Sequence, residues 1–430
     1  MRLFGALRHP DAPRILLLRS DRAWRLPRVV APDIWVAQAD KVGDAFERRL
    51  GTRPWLLRQL RFGEHEAVFE LELLDPQWSP PPHGRWVGRD GLDRLRLKDE
   101  EQRPLLDAYL DALERDDVPP ERPPWAQPGW LGGVRAWLER EAARLGHAVI
   151  AIEQVKQWSI SAVLRVRTDG PDLWFKVSAP LPLFVDEAAV TAELAERFPG
   201  YVPPPLAVEA EHGWLLFAEF DVVGWGEPLE TRCELFRRFA VLQRCSVPLV
   251  QDLLAAGCLD RRLGVLESQL DPLFADPVAI ARLTTEETSE LRRRAPELKQ
   301  ACRRLDAIGL PATLVHGDLH PGNTARLDGE LAYFDWTDAC IGHPLIDLHS
   351  LQWVDDESAR SALLDAYVTA WDGAISAEAV ELARIVTPLH HAVSYSTIVN
   401  SVERSGQSEL DATHEFLREA LTRVRDWPFV

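Results

Sequence analysis

The stretch Leu314–Leu348, LVHGDLHPGNTARLDGELAYFDWTDACIGHPLIDL, decides how this chain is read. It sets His316, Asp318, His320, Asn323, Asp335, Asp338, His343 and Asp347 among short apolar runs that read as strands. Leu314-Val315 leads into His316-Gly317-Asp318, and Leu331-Ala332-Tyr333-Phe334 runs straight into Asp335. Charged groups at the ends of short buried strands are costly unless they bind something. The pattern therefore asks for a ligand or a metal.

The chain around this stretch has 430 residues, enough for two or three domains with sizeable cores. Its 46% hydrophobic and 27% charged content is that of a soluble globular protein. A net charge of −18 argues against a nucleic-acid partner, which asks for a basic face, and permits a cationic substrate without selecting one. Cys233, Cys245, Cys258, Cys302 and Cys340 form no CxxC pair, so neither a disulfide framework nor a zinc site is expected. No apolar run approaches a membrane span, and the opening MRLFGALRHPDAPR lacks a signal-peptide core. The expectation is a cytoplasmic protein without a membrane partner.

Upstream of the stretch, residues 1–114 read as a small α+β domain. Strands are expected at 14–19, 55–61, 67–74 and 85–87, with helices at about 40–50 and 101–113. Residues 115–133 hold five prolines, three glycines, Trp125 and Trp130 and read as a linker that packs against a domain. A helix over 134–145 follows, then a β-meander over 149–177 with Lys176 inside an apolar run, a helix over 187–198, and strands near Val208 and 214–218. From about Thr231 the chain reads as helical, with helices at 235–244, 247–256, 261–274, 286–308, 358–371, 377–389 and 410–424. The domain expectation is 1–114, a linker at 115–133, a β-rich lobe with its leading helix at 134–230, and a helical lobe at 231–430.

The spacing Asp318-x-x-x-x-Asn323, followed by Asp335 after a short hairpin, suits metal-assisted phosphoryl transfer. One carboxylate orients and deprotonates a hydroxyl, while an amide and a second carboxylate hold magnesium against nucleotide phosphates. His316-Gly317-Asp318-Leu319 through Asn323 matches the kinase loop H-R-D-L-x-x-x-N with glycine for arginine, and Asp335-Trp336-Thr337 stands where kinases have D-F-G.

Residues from about Val149 to Val424 resemble the aminoglycoside phosphotransferase and choline kinase branch of the kinase-like fold. The carriers are His316-Gly317-Asp318 through Asn323, Phe334-Asp335-Trp336, and Asp347-Leu348. The resemblance implies an α+β fold with a small antiparallel β lobe and a larger helical lobe. It implies Asp318 as catalytic base, Asn323 and Asp335 as magnesium ligands, and Lys176 on the α/β phosphates of ATP or GTP, steadied by Glu187 with Glu193 as competitor. Asp347 and His316 would support the loop. Serines replace the glycine-rich loop at Ser159-Ile160-Ser161, where hydroxyls and amides can still cradle phosphate. No A-P-E signature follows and Gly317 replaces an arginine, so a constitutive small-molecule kinase with a hydroxyl acceptor is expected over a protein kinase. His320 and His343 stay open between scaffold and site rim, core packing is the reading for His390, His391 and Tyr395, and a homodimer is compatible.

The N-terminal order, with ILLLR, WRLP and RWVGRDGLDRLRL before a final helix, resembles a Nudix hydrolase domain. That family holds magnesium with Arg-Glu-hydrophobic-x-Glu-Glu-x-Gly, but here the aligned run is Asp44-Ala45-Phe46-Glu47-Arg48-Arg49-Leu50-Gly51. Two arginines and an alanine cannot hold the metal. The resemblance therefore implies a Nudix-like domain without Nudix chemistry, with an unrelated α+β domain as the alternative. A second function class is a nucleotide-binding pseudokinase using this domain as a binding module; intact Asp318, Asn323 and Asp335 oppose it.

Overall fold

The computed structural model describes residues 1–31, 35 and 37–427. The chain is α+β and divides into two compact units, Met1–Ala179 with Val402–Glu409, and Pro180–Ser401 with Leu410–Val430.

The first unit opens with strands β1 (Arg2–Leu7), β2 (Ile15–Ser20), β3 (Ala23–Arg25), β4 (Arg28–Val30), β5 (Trp55–Phe62), β6 (Glu66–Glu72) and β7 (Gly84–Val87). They form a mixed sheet in the order β4-β1-β6-β5, with β1 and β6 parallel, and an antiparallel sheet β3-β2-β7. Period-two alternation explains the two apolar faces of β1. Leu3 and Leu7 pack with Val42, Phe46 and Leu50 of helix α1 (Ala39–Leu50). Phe4 and Ala6 pack with the other core, which is reached after the short helix α2 (Arg89–Leu92) and contains Leu106, Tyr109 and Leu110 of helix α3 (Arg103–Arg115). Strand β1 lies outside the sequence expectation because Gly5 interrupts its apolar run. That glycine is there for space: a Cβ would lie 2.5 Å from Leu71 Cδ1 and 2.9 Å from Phe46 Cε1.

The linker holds more structure than its prolines suggest. A 3-10 turn at Pro124–Ala126 buries Trp125, whose indole donates to the Trp158 carbonyl at 2.8 Å. Helix α4 (Trp130–Arg144) begins at Trp130 rather than at residue 134, because Gly129 takes φ 81° and its N–H reaches the Glu72 carboxylate at 3.0 Å. Trp130 and Trp137 pack on Phe175, each with ring centroids 6.0 Å away. Strands β8 (Val149–Gln157), β9 (Ser161–Thr168) and β10 (Leu173–Ser178) form an antiparallel meander. Two buried glutamines knit it to β5. Gln154 exchanges two 2.8 Å bonds with the Leu56 backbone, and Gln157 donates to Leu57 O at 2.6 Å.

The second unit holds helix α5 (Glu187–Arg197), strands β11 (Ala207–Glu209), β12 (Trp214–Ala218) and β13 (Asp221–Val222), and then helices α6 (Leu229–Ser246) and α7 (Val250–Ala255). Strand β14 (Leu259–Asp260) and helices α8 (Leu263–Ala275) and α9 (Thr285–Ala307) lead to β15 (Thr313–Val315), β16 (Thr324–Leu327), β17 (Glu330–Tyr333) and β18 (Cys340–Gly342). Helices α10 (Glu357–Thr369), α11 (Ala377–Ser401), α12 (Arg404–Leu410) and α13 (Thr413–Arg425) complete the chain. Helix α11 runs past the expected end at residue 389 because nearly every residue from Leu389 to Val399 is buried, which keeps a helix going beyond Pro388. Among the described residues, no helix is long and apolar enough to cross a membrane.

Candidate active site

Two three-stranded sheets hold the ends of the central motif. β15 pairs with β18, Leu314 opposite Ile341 and Val315 opposite Cys340, so the chain enters and leaves the motif on one buried ladder. β16 and β17 form the hairpin between Asn323 and Asp335, with β13 on the outer side.

The loop is then fixed by Asp347, which is 3% exposed. Its carboxylate accepts from His316 N–H at 3.1 Å, Gly317 N–H at 2.9 Å and the Gln243 amide at 2.8 Å. Burial nonetheless pushes its pKa up to about 7. Gly317 has φ 83°, and a Cβ there would lie 2.4 Å from Asp338 O, so no other residue fits. The glycine in place of a kinase arginine is thus explained by its backbone conformation and by space.

His316 is wholly buried and braces the loop from within. One ring nitrogen, Nε2, lies 3.0 Å from Phe334 O, and Nδ1 accepts from Asp318 N–H at 3.3 Å. Burial pulls its pKa down to about 4, so it is neutral, and its ring lies 4.6 Å from buried Trp336. A backbone bond from Phe334 N–H to Asn323 O, 3.1 Å, joins the loop to the strand end before Asp335.

Asp318 and Asn323 meet directly. The Asn323 amide nitrogen donates to Asp318 Oδ2 at 2.9 Å and to Asp318 O at 3.0 Å. This leaves its carbonyl oxygen as the acceptor end. The Asp318 side chain keeps 46% of its surface. Partial loss of water is the largest influence on it and would raise its pKa. The hydrogen bond from His320 and its field outweigh that and hold the carboxyl below the usual range. Asp335 sits at φ 67°, a backbone region uncommon outside glycine, and accepts from Thr337 Oγ1 at 3.1 Å. Amide and carboxylate oxygens are the donors a hard divalent cation such as magnesium takes, so Asn323 and Asp335 fit the metal they are expected to hold.

Val185 N–H donates to Thr337 O at 3.1 Å, tying this segment to the start of α5. Glu187 opens that helix, buried, after Asp186 caps it through Ala189 N–H at 3.1 Å. Its competitor Glu193 pairs with Arg197 on the surface. His343 belongs to the scaffold: it is buried, its Nδ1 accepts from Leu345 N–H at 3.3 Å, and burial lowers its pKa to about 4. His320 lies at the rim, 3.4 Å from the Asp318 carboxylate.

The second unit therefore holds His316, Asp318, Asn323, Asp335, Asp347 and Glu187. Lys176, Ser159 and Ser161 belong to the first. Lys176 is in β10 opposite Val163 of β9, on the half-buried face with Trp174. Ser159 and Ser161 form the β8–β9 turn, where Ser161 Oγ accepts from the Trp158 indole at 2.7 Å. Three neighbours escaped the sequence reading. Trp225 and Trp353 stay about half exposed and flank His320, with ring centroids at 5.1 and 6.2 Å. Gln243, a lone amide on the apolar face with Phe239 and Leu242, is the signal that could have been read.

A kinase-like fold carrying this H-G-D…N loop and a second aspartate at a strand end defines a phosphotransferase. Residues 151–380, more than half of the chain, match the Phosphotransferase enzyme family (APH). The chain belongs to that family. Among solved structures it is similar to a GDP complex of an aminoglycoside 2'-phosphotransferase-IIIa variant (TM-score 0.52, 14% identity, 68% of this chain and 98% of that one). The wild-type enzyme with GDP gives 0.50, 14%, 67% and 98%. Choline kinase LicA from Streptococcus pneumoniae gives 0.49, 13%, 69% and 100%. At 14% identity the likeness to the two aminoglycoside phosphotransferase structures carries the fold alone. No curated protein matches the chain.

Proposed function

We propose that the protein transfers the γ-phosphate of ATP or GTP to a hydroxyl of a small molecule, with Asp318 as base. The observation that carries this reading is the ionised, half-exposed Asp318 held by Asn323 on a loop whose amides Asp347 clamps. Asp318 orients the acceptor hydroxyl and takes its proton as the oxygen attacks in line. Asn323 and Asp335 hold magnesium, which supplies charge neutralisation on the phosphates. Lys176 binds the α/β phosphates with Glu187 as its support, and the Ser159–Ser161 turn takes phosphate oxygens. Among the described residues, the backbone amides of Ser159 and Ile160 donate to no acceptor, which favours an anion there.

The acceptor is aminoglycoside-, amino-sugar- or choline-like. An anionic base beside two half-exposed indoles suits a cationic group. We read residues 1–114 as Nudix-like without the catalytic box. A mixed and an antiparallel sheet with a helical layer in each core support it, and Ala45 is buried while Arg48 and Arg49 are exposed. Five unpaired cysteines suit the cytoplasm.

The test is magnesium-dependent transfer of labelled γ-phosphate to a panel of aminoglycosides, amino sugars, sugars, choline and hydroxy amino acids, with Asp318→Ala beside the wild type. One or more phosphorylated acceptors, lost in the variant, are expected. Tight nucleotide binding with no product from any acceptor contradicts the reading and favours a regulator.

A further inference from the structure

The eight residues Val402–Glu409 lie between stretches of the second unit, yet pack as part of the first. Their sequence, VERSGQSE, is polar and small and offers little apolar surface to hold it there. What holds it is Glu403. Its carboxylate accepts from Arg58 Nη1 at 2.7 Å, and from Arg122 Nε and Nη2 at 3.1 and 2.9 Å. Arg58 also donates through Nε to buried Glu70 at 2.7 Å, which accepts from Tyr109 Oη at 2.8 Å. Side-chain exposures of 13%, 11% and 15% for Arg58, Arg122 and Glu403 shield the network from solvent. A shielded, multiply bonded carboxylate is a strong tether, because removing one partner strands the other charges.

The tethered segment lands on the β8–β9 turn. A Cβ on Gly406 would lie 1.9 Å from Ser159 Oγ and 3.0 Å from Ser159 Cβ, so the backbone there touches the serine with no room for a side chain. From the other side Trp125 holds the Trp158 carbonyl, Trp158 N–H donates to Ser161 O at 3.1 Å, and the Trp158 indole holds Ser161 Oγ. The turn is closed and clamped, while among the described residues the amides of Ser159 and Ile160 have no acceptor. Elsewhere such a turn gains its order from glycines and a bound phosphate; here distant parts of the chain supply it beforehand.

We propose that Glu403 is a positioning residue for the nucleotide phosphates, acting through Gly406 on the Ser159-Ile160-Ser161 turn. This rests on the reading of that turn as the phosphate cradle. Preordering the turn removes an entropic cost from binding, so releasing the clamp weakens nucleotide affinity without touching the chemistry at Asp318. It also gives the N-terminal domain a task, because Arg58 comes from its strand β5 and Arg122 from the linker.

The test is calorimetric binding of magnesium-AMPPNP or magnesium-GMPPNP, whichever the wild-type chain takes, to Glu403→Gln, Arg122→Ala and Gly406→Ala. A rise in Kd of about five- to tenfold is expected in each, with Arg122→Lys recovering part of it. Hydrogen exchange at the Trp158 amide, which donates to Ser161 O, should speed up in the nucleotide-free variants, and kcat at saturating nucleotide should hold. Gly406→Ala leaves the ion network intact and carries the test if Glu403→Gln fails to fold. Unchanged affinity in folded variants overturns the proposal while leaving the kinase reading in place. Tighter binding also overturns it and makes the segment a cover. Absence of nucleotide binding in every protein, wild type included, overturns the kinase reading and this proposal together.

Discussion

Helix α1 and the loop from His316 to Asp347 both carry several carboxylates, and the two use them in opposite ways. In α1, Asp44 and Glu47 face solvent and share Arg53, with Glu47 3.6 Å from its guanidinium and all three side chains 39–50% exposed. In the loop, Asp347 is buried under three donors and Asp318 is held by Asn323. A carboxylate in water with a mobile arginine is a solubility feature. One held in a fixed place on a loop that a second, buried carboxylate clamps through its backbone amides is a candidate for chemistry. Acid count alone does not separate them; what the backbone does around them does.

The largest effect expected from breaking this contrast is at the oxygens proposed to hold magnesium. Asp335→Ala should lower kcat for phosphate transfer by roughly a thousandfold or more, about 4 kcal/mol of barrier, and abolish the magnesium dependence of nucleotide binding. Steady-state kinetics over a magnesium titration reads both. Next comes the clamp. Asp347→Ala leaves the amides of His316 and Gly317 and one N–H of the Gln243 amide, whose other bond is to Pro344 O, without their acceptor, at about 1–3 kcal/mol for each buried group stranded. Denaturant unfolding should show a loss of several kcal/mol with activity falling alongside.

Protonation sharpens the same comparison. His316, His343 and His349 are pulled to about 4 by burial, below the unfolded value of 6.5. Each therefore contributes stability that is complete above pH 6.5 and is lost as pH falls toward 4, about 3 kcal/mol for wholly buried His316. Asp347 works the other way: raised to about 7, its contribution is complete below 3.8 and is lost as pH rises through 7. Three imidazoles outweigh one carboxyl, so Tm should fall between pH 6.5 and 4. Asp347→Asn removes the opposing group and should make that fall steeper. The smallest effect belongs to α1. Asp44→Ala with Glu47→Ala should shift stability by no more than about 1 kcal/mol and leave phosphate transfer unchanged.

The loop was legible because its pattern is local: His316 through Asn323, then Asp335, lie within one short span, and the backbone brings Asn323 onto Asp318 as the spacing suggested. Strand β1 was not, since Gly5 hides an apolar strand whose neighbours, Phe46 and Leu71, are set by packing. The end of α11 was missed because burial from Leu389 to Val399, not propensity, sustains the helix. Least legible of all was the surrounding of Ser159. Its contact with Gly406 and the bonds joining Glu403 to Arg58 and Arg122 link residues far apart in the chain, and no local pattern records them.

The most direct measurement compares wild type with Asp318→Asn, a change that keeps shape and removes the base. Nucleotide binding with magnesium is measured calorimetrically, and transfer to the acceptor by mass spectrometry. The geometry predicts binding within about twofold of wild type and transfer reduced by roughly a thousandfold or more. Transfer by Asp318→Asn at a rate near that of the wild type would contradict the assignment of Asp318 as the base and, with it, the reading of the loop.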